Sequence, residues 1–148
     1  VFANAGVYHG DPGDTPISEE SYATFDDHLR TNGRGVFATI RESVPHLADD
    51  ARVLVPSGSI ARDPKPGLGS YAVSKALSEA LARQFAAELD ATVGVVDPGQ
   101  LSTTLTGDGP GRDHEEVADM FHWAAVEAPA EDLDGEVLDL RAWKKSTR

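Results

Sequence analysis

A tyrosine and a lysine stand four residues apart in Ser70-Tyr71-Ala72-Val73-Ser74-Lys75, where an apolar-periodic segment begins. On a helix that spacing puts both side chains on one face, one turn apart. An ammonium beside a phenol favours the phenolate, drawing a tyrosine down from a reference pKa of about 10 toward a value at which it passes a proton. Upstream, Val53-Leu54-Val55-Pro56-Ser57-Gly58-Ser59 brings serines off the end of an apolar run. A serine hydroxyl next to that phenol can hydrogen-bond a substrate oxygen. The set reads as a general acid/base site for a carbonyl/alcohol pair. A lone Tyr-x-x-x-Lys is common in helices, so the surrounding elements decide its meaning.

Those elements alternate. Val1-Phe2-Ala3 reads as a strand running into the turn Asn4-Ala5-Gly6. After a Gly/Pro/Asp loop, Ser18 is placed to cap a helix carrying Tyr22, Phe25 and Leu29. Asn32-Gly33 interrupts it, and the pattern resumes at Val36, Phe37, Ile40 and Val44 before Pro45 ends it. Residues 52–55 form a short apolar strand. The strongest helical pattern, 70–89, carries Leu77, Leu81, Phe85 and Leu89 on one stripe. Residues 92–96 are a β-branched strand buried on both faces, ending at Asp97-Pro98-Gly99. A loop over 100–112 leads to the capping-box pattern Asp113-His114-Glu115-Glu116 and a helix with Val117, Met120, Phe121, Ala124 and Ala125. A last strand spans 135–140, and 141–148 is a basic tail. Strands separated by helical crossovers imply α/β architecture with a parallel sheet.

Composition excludes several classes. The 148 residues suffice for one domain, and with no cysteine there is neither a disulfide framework nor a thiolate metal site. His9, His28, His46, His114 and His122 have no metal-like spacing and read as solvated surface residues; Trp123 and Trp143 read as packing residues. No apolar run is long enough to span a membrane. A net charge of −12 opposes binding to nucleic acid or anionic lipid. Four lysines against nine arginines, and 15 Asp against 10 Glu, resemble the surfaces of haloarchaeal proteins. A halophilic, cytoplasmic protein is the expectation.

In open parallel sheets ligands bind beyond the carboxyl ends of the strands, and each feature noted above falls at such an end. At this point the chain resembles the short-chain dehydrogenase/reductase family along essentially its whole length. Ala3-Asn4-Ala5-Gly6 is similar to the family's Asn-Asn-Ala-Gly, with Ala in place of the first Asn. Thr31-Asn32-Gly33-Arg34-Gly35-Val36-Phe37 resembles the segment bearing the family's catalytic Asn. Tyr71 and Lys75 match its Tyr-x-x-x-Lys, and Pro98-Gly99-Gln100-Leu101-Ser102-Thr103 its Pro-Gly-x-hydrophobic-x-Thr. The family places its serine at the position of Gly58, so Ser57 takes the role across a one-residue gap, with Ser59 the alternative.

The resemblance implies a partial Rossmann-type doubly wound sheet of about four strands. It also implies hydride transfer between NAD or NADP and a carbonyl/alcohol substrate. Tyr71 would exchange the proton, Lys75 would lower its pKa and hold the nicotinamide ribose, and Ser57 would bind the substrate oxygen. Asn32 would help hold a water linking Lys75 to solvent. Asn4, Ala5, Gly6, Pro98, Gly99, Leu101 and Thr103 would line the cofactor. The family's Thr-Gly-x-x-x-Gly-x-Gly turn is absent, so the chain reads as the carboxyl-terminal part of a single Rossmann-like domain, inactive alone. The glycine-rich loop 105–112 suggests a small or medium substrate. By analogy, the helices over 17–47 and 70–89 would build a homodimer or homotetramer. The second reading is a truncated, non-catalytic relative acting as a binding or regulatory module.

Overall fold

The valine-rich runs lie side by side in a parallel sheet. The computed structural model describes residues 1–103 and 111–148. Its sheet has three strands, β1 (Arg52–Pro56), β2 (Thr92–Asp97) and β3 (Val137–Asp139), in the order β1-β2-β3. The register runs from Arg52↔Thr92 to Pro56↔Val96 and from Val95↔Val137 to Asp97↔Asp139. The segment expected as a first strand joins β1 through a single parallel bridge, Phe2↔Leu54, with hydrogen bonds from Ala3 N–H to Leu54 C=O and from Leu54 N–H to Val1 C=O. The α/β architecture expected from the sequence is present. The loop read as shaping the substrate pocket, 105–112, lies mostly outside the described residues.

Alternation along the strands divides the core in two, as successive side chains must point to opposite faces. Val53, Val55, Val93 and Val95 meet Val36, Ile40 and Ala82 on one face, with Leu81, Phe85 and Leu89 packed against them. Leu54, Val96 and Leu138 meet Met120, Ala124 and Leu133 on the other, where Trp123 and Trp143 also pack. The first face is covered by α2 (Gly35–Ser43) and α3 (Gly69–Glu88), the second by α4 (Glu115–Val126).

Three helix boundaries differ from the sequence reading. Ser18 lies in a 3₁₀ turn, and the cap is Ser21, whose hydroxyl accepts from Thr24 N–H ahead of α1 (Tyr22–His28). Asn32-Gly33 does not break the helix. It sits in a π-helical turn, Leu29–Arg34, through which α1 continues into α2, with Gly35 N–H bonded to Arg30 C=O five residues back. Such turns keep the helix going while fitting in one extra residue. The basic tail is helical, α5 (Leu140–Ser146), capped by Asp139, whose carboxylate accepts from Ala142 N–H.

Close approach of α3 to the π turn rests on small residues. Ser70, Ser74 and Ser78 recur at every fourth position and are buried, so they line one stripe of the helix. On the opposing side a Cβ at Gly33 would fall 2.3 Å from Leu77 Cδ2. The two elements that carry Asn32 and Tyr71 are thereby locked together.

Candidate functional site at the carboxyl end of the sheet

Tyr71 and Lys75 occupy the first two turns of α3, both half-buried. Lys75 Nζ donates to the Pro56 carbonyl at 2.8 Å, which ties the helix to the last residue of β1. Burial draws the ammonium below its ordinary value, against an opposing pull from Glu79 and Asp97. The Tyr71 ring meets Tyr8 edge-on, with centroids 4.8 Å apart, and His28 at 6.0 Å. Burial pushes the Tyr71 phenol above its ordinary 10.0, and Tyr8 adds to the rise. The sequence expectation was the reverse, a phenol lowered by Lys75. The difference is geometric: the lysine head binds the Pro56 carbonyl, and the phenol is walled by two rings. Tyr71 is therefore held as the neutral acid at neutral pH, the form that donates a proton.

Asn32 is buried, and its polar atoms are engaged. Its Oδ1 accepts from Val7 N–H at 2.7 Å, and its Nδ2 donates to Val7 C=O and to Ser74 Oγ, each at 2.9 Å. Its backbone carbonyl accepts from Ser78 Oγ at 2.7 Å. The side-chain amide thus pairs with Val7 as a neighbouring strand would, fixing the chain just past Asn4-Ala5-Gly6. Ser74 in turn donates to the Tyr71 carbonyl at 2.7 Å. Asn32 and Tyr71 are joined through one hydroxyl.

Ser57 comes directly off β1, its N–H bonded to Val96 C=O, and is buried. Its hydroxyl donates to Glu79 Oε1 at 2.8 Å. Glu79, on α3 one turn beyond Lys75, is 1% exposed. Arg62 bridges Glu79, at 3.1 Å, and Asp97 at the end of β2. Asp97 also accepts from Gly99 N–H at 2.9 Å, shaping the Pro98-Gly99 turn, where Gly99 has φ +75°. Leu101 pairs with Arg112 in an isolated parallel bridge. Ser59 is exposed at the start of a 3₁₀ turn. Asn4, Ala5 and Gly6 are exposed beyond the bridged segment, and a Cβ at Gly6 would come within 3.3 Å of Asn32 Oδ1.

The structure joins Asn32 to Tyr71 through Ser74, sets Lys75 one turn further along α3 on the Pro56 carbonyl, and adds three residues that the sequence reading did not place beside Tyr71. His28, read as a surface residue, is fully buried. Its Nε2 accepts from His9 N–H at 3.0 Å, so Nδ1 carries the proton and donates to Ser70 Oγ at 2.7 Å. Burial lowers its pKa, against a pull from Glu20. Glu20 Oε2 accepts from Ser70 N–H at 2.8 Å, capping the start of α3 from a distant segment. Tyr8 closes the cluster over Tyr71. Glu79, Arg62 and Asp97 form a second, charged group behind Ser57. The spacing of Glu79 from Lys75, again four residues, was the available signal for that group.

A family model described as enoyl-(acyl carrier protein) reductase matches residues 1–133. The NADPH-dependent aldehyde reductase 2, chloroplastic, of Arabidopsis thaliana is 35% identical over 100 residues, covering 64% of this chain and 37% of the relative. An NADPH-dependent aldehyde reductase-like protein, chloroplastic, of the same plant is 33% identical over 111 residues, covering 72% and 40%. The chain thus spans about two fifths of the length of these curated relatives. Among solved structures, a short-chain dehydrogenase/reductase from Serratia marcescens is 28% identical with a TM-score of 0.76, covering 94% of this chain and 62% of that one. A 3-ketoacyl-(acyl-carrier-protein) reductase from Brucella melitensis, complexed with NADH, shares the fold at 23% identity with a TM-score of 0.80 over 94% of this chain and 64% of that one. The family-model match over residues 1–133, on a parallel sheet flanked by helices, places the chain in the short-chain dehydrogenase/reductase family.

Proposed function

We propose that this chain carries the acid/base part of an NAD- or NADP-dependent oxidoreductase acting on a carbonyl/alcohol pair, and that it works as the carboxyl-terminal part of a longer Rossmann-like domain. One observation carries the reading: Tyr71 and Lys75 share a face of α3, anchored by Lys75 to the end of β1 and by Ser74 to Asn32. A packing helix has no need of a half-buried lysine hooked to a strand end beside a walled phenol.

The residues present fit a nicotinamide dinucleotide. Exposed backbone at Asn4, Ala5 and Gly6, with no slack for a Cβ at Gly6, offers a close approach. Lys75 would hold the ribose hydroxyls, and Pro98, Gly99, Leu101 and Thr103 would frame the carboxamide side. The named relatives are NADPH-dependent reductases, and one structural neighbour holds NADH. When bound, the cofactor supplies or takes the hydride at the carbonyl carbon.

The protein's own residues handle the proton. In reduction the neutral Tyr71 phenol donates to the substrate oxygen; in oxidation its phenolate takes the proton back. Lys75 stands one turn away and stabilises that phenolate as it forms. Asn32 positions both the Val7 backbone and, through Ser74, the first turn of α3. Ser57 or Ser59 serves the substrate oxygen. Ser57 has one proton, and in this structure Glu79 receives it. It reaches a carbonyl as a donor only by turning from Glu79.

In the full-length protein, Tyr71→Phe should lower carbonyl reduction by about 10³-fold and leave cofactor binding, followed by NAD(P)H fluorescence, within twofold. Unchanged turnover would remove the acid/base assignment. Retained binding with no turnover in the unmodified protein would favour a binding module.

A further inference from the structure

The Tyr8 hydroxyl is buried and has no hydrogen-bond partner among the described residues. Buried phenols nearly always find one, and an orphaned group costs stability. Tyr8 is not loosely placed either. The residue before it, Val7, is held at both N–H and C=O by Asn32; the residue after it, His9, donates its N–H to His28 Nε2. The ring is then wedged edge-on against Tyr71 at 4.8 Å and beside His28 at 5.9 Å. A donor immobilised on both sides and left without an acceptor, next to the residue that would transfer the proton, is preorganised for an oxygen not belonging to the protein.

We infer that Tyr8 is a second substrate-binding hydroxyl, which donates to the same carbonyl oxygen that Tyr71 protonates. The inference rests on the oxidoreductase reading and adds a donor to it, because the Ser57 hydroxyl already donates its hydrogen bond to Glu79. Two phenols would polarise the carbonyl together: Tyr8 donates a hydrogen bond and keeps its proton, and Tyr71 gives its proton up. The substrate class follows. The oxygen would meet the two phenols over the packed rings of Tyr8, Tyr71 and His28, an apolar setting that suits a ketone or aldehyde flanked by apolar carbon. The upward push of Tyr8 on the Tyr71 pKa agrees with phenols close enough to sense each other's charge.

Tyr8→Phe keeps the ring and its contact with Tyr71 and deletes only the orphaned hydroxyl, so the fold should be preserved. In the full-length protein, with an aromatic aldehyde as probe, kcat/KM should fall by about 10²-fold, the loss expected for one oxyanion donor. The melting temperature should stay level or rise. An ultraviolet titration of tyrosinate should show the Tyr71 phenol ionising at lower pH than in the parent. A loss in kcat/KM of less than fivefold would overturn the inference, as would a fall in melting temperature, which would mean the hydroxyl is structural. Tyr71→Phe measured alongside separates the two readings. If Tyr71→Phe is inactive and Tyr8→Phe is not, only the role of Tyr8 fails. If both keep activity, the oxidoreductase site itself is elsewhere.

Discussion

Arg62 stands between two carboxylates from different elements, donating to Glu79 on α3 at 3.1 Å and to Asp97 at the end of β2. The carboxylates are almost fully buried, while the guanidinium is about one-third exposed. Removing the cation leaves buried Asp97 without its ion-pair partner and Glu79 with only the longer contact to Arg83 at 3.8 Å, which costs more than the pair contributes when intact. Arg62→Met should therefore destabilise the protein by about 3 kcal/mol, read from urea denaturation at neutral pH. Adding Glu79→Gln to that variant should restore part of the loss. No change in the denaturation midpoint for Arg62→Met would mean that water already screens both carboxylates.

Asn32→Ala removes three side-chain hydrogen bonds and strands the Val7 amide and carbonyl. At roughly 1 kcal/mol per bond the expected loss is about 3 kcal/mol. Hydrogen exchange at the Val7 amide should accelerate by at least the same factor as global opening. Protection at Val7 that survives the substitution would show that the loop is held by something other than Asn32.

The buried His28 makes stability depend on pH. Its folded pKa is depressed, so the unfolded chain binds a proton below about 6.5 that the folded chain does not. The contribution is fully present above that pH and is lost as pH falls through the window beneath it. The slope approaches about 1.4 kcal/mol per pH unit where the unfolded residue is charged and the folded one is neutral. Denaturation at pH 5.0 and 7.5 should show the difference, and His28→Asn should flatten it. A parent profile as flat as that of the variant would rule out a neutral His28.

Two glycines give a graded test of packing. A Cβ on Gly94 would sit 2.4 Å from the Leu133 carbonyl oxygen, which is backbone on the far face of the sheet. Gly94→Ala should cost about 3 kcal/mol, the upper part of the usual range for overpacking. At Gly33 the obstacle is the tip of Leu77, a half-exposed side chain that can swing away. Gly33→Ala should stay within about 1 kcal/mol of the parent, since helix propensity offsets the crowding. Thermal melts of the two variants should separate clearly; equal midpoints would mean that Leu133 relaxes.

Patterns with a strong local cause were legible in the sequence. The parallel strands followed from β-branched runs, and α3 from its four-residue spacing, as did Tyr71 and Lys75 on one face. The packing roles of Trp123 and Trp143 also followed. What escaped the sequence depends on partners far along the chain. Ser57 reads as a strand-end hydroxyl free for a substrate oxygen until Glu79, 22 residues later, is seen to accept its hydrogen bond. His28 has no apolar character and so resembles surface, yet Ser70 and the His9 amide satisfy both its nitrogens in the interior. Asn32-Gly33 has the composition of a helix breaker, and only the opposing serines of α3 show why the helix survives there. The pKa direction at Tyr71 was misjudged because spacing reports which face a lysine occupies, not where its flexible head goes.

The π turn gives the site an unusual genetic fragility. Deleting one residue from Leu29–Arg34 would let an ordinary α-helix close over the gap, with composition, capping and hydrophobic content almost unchanged. α1 and α2 would keep nearly their present phase, because the π turn takes up its extra residue locally, but the residues inside the turn, Asn32 among them, would be carried round the helix axis. Asn32 would leave the Val7 amide and carbonyl, loosening the segment that sets Tyr8 against Tyr71. A length change that alignment would score as minor should be more damaging than most substitutions in the same six residues.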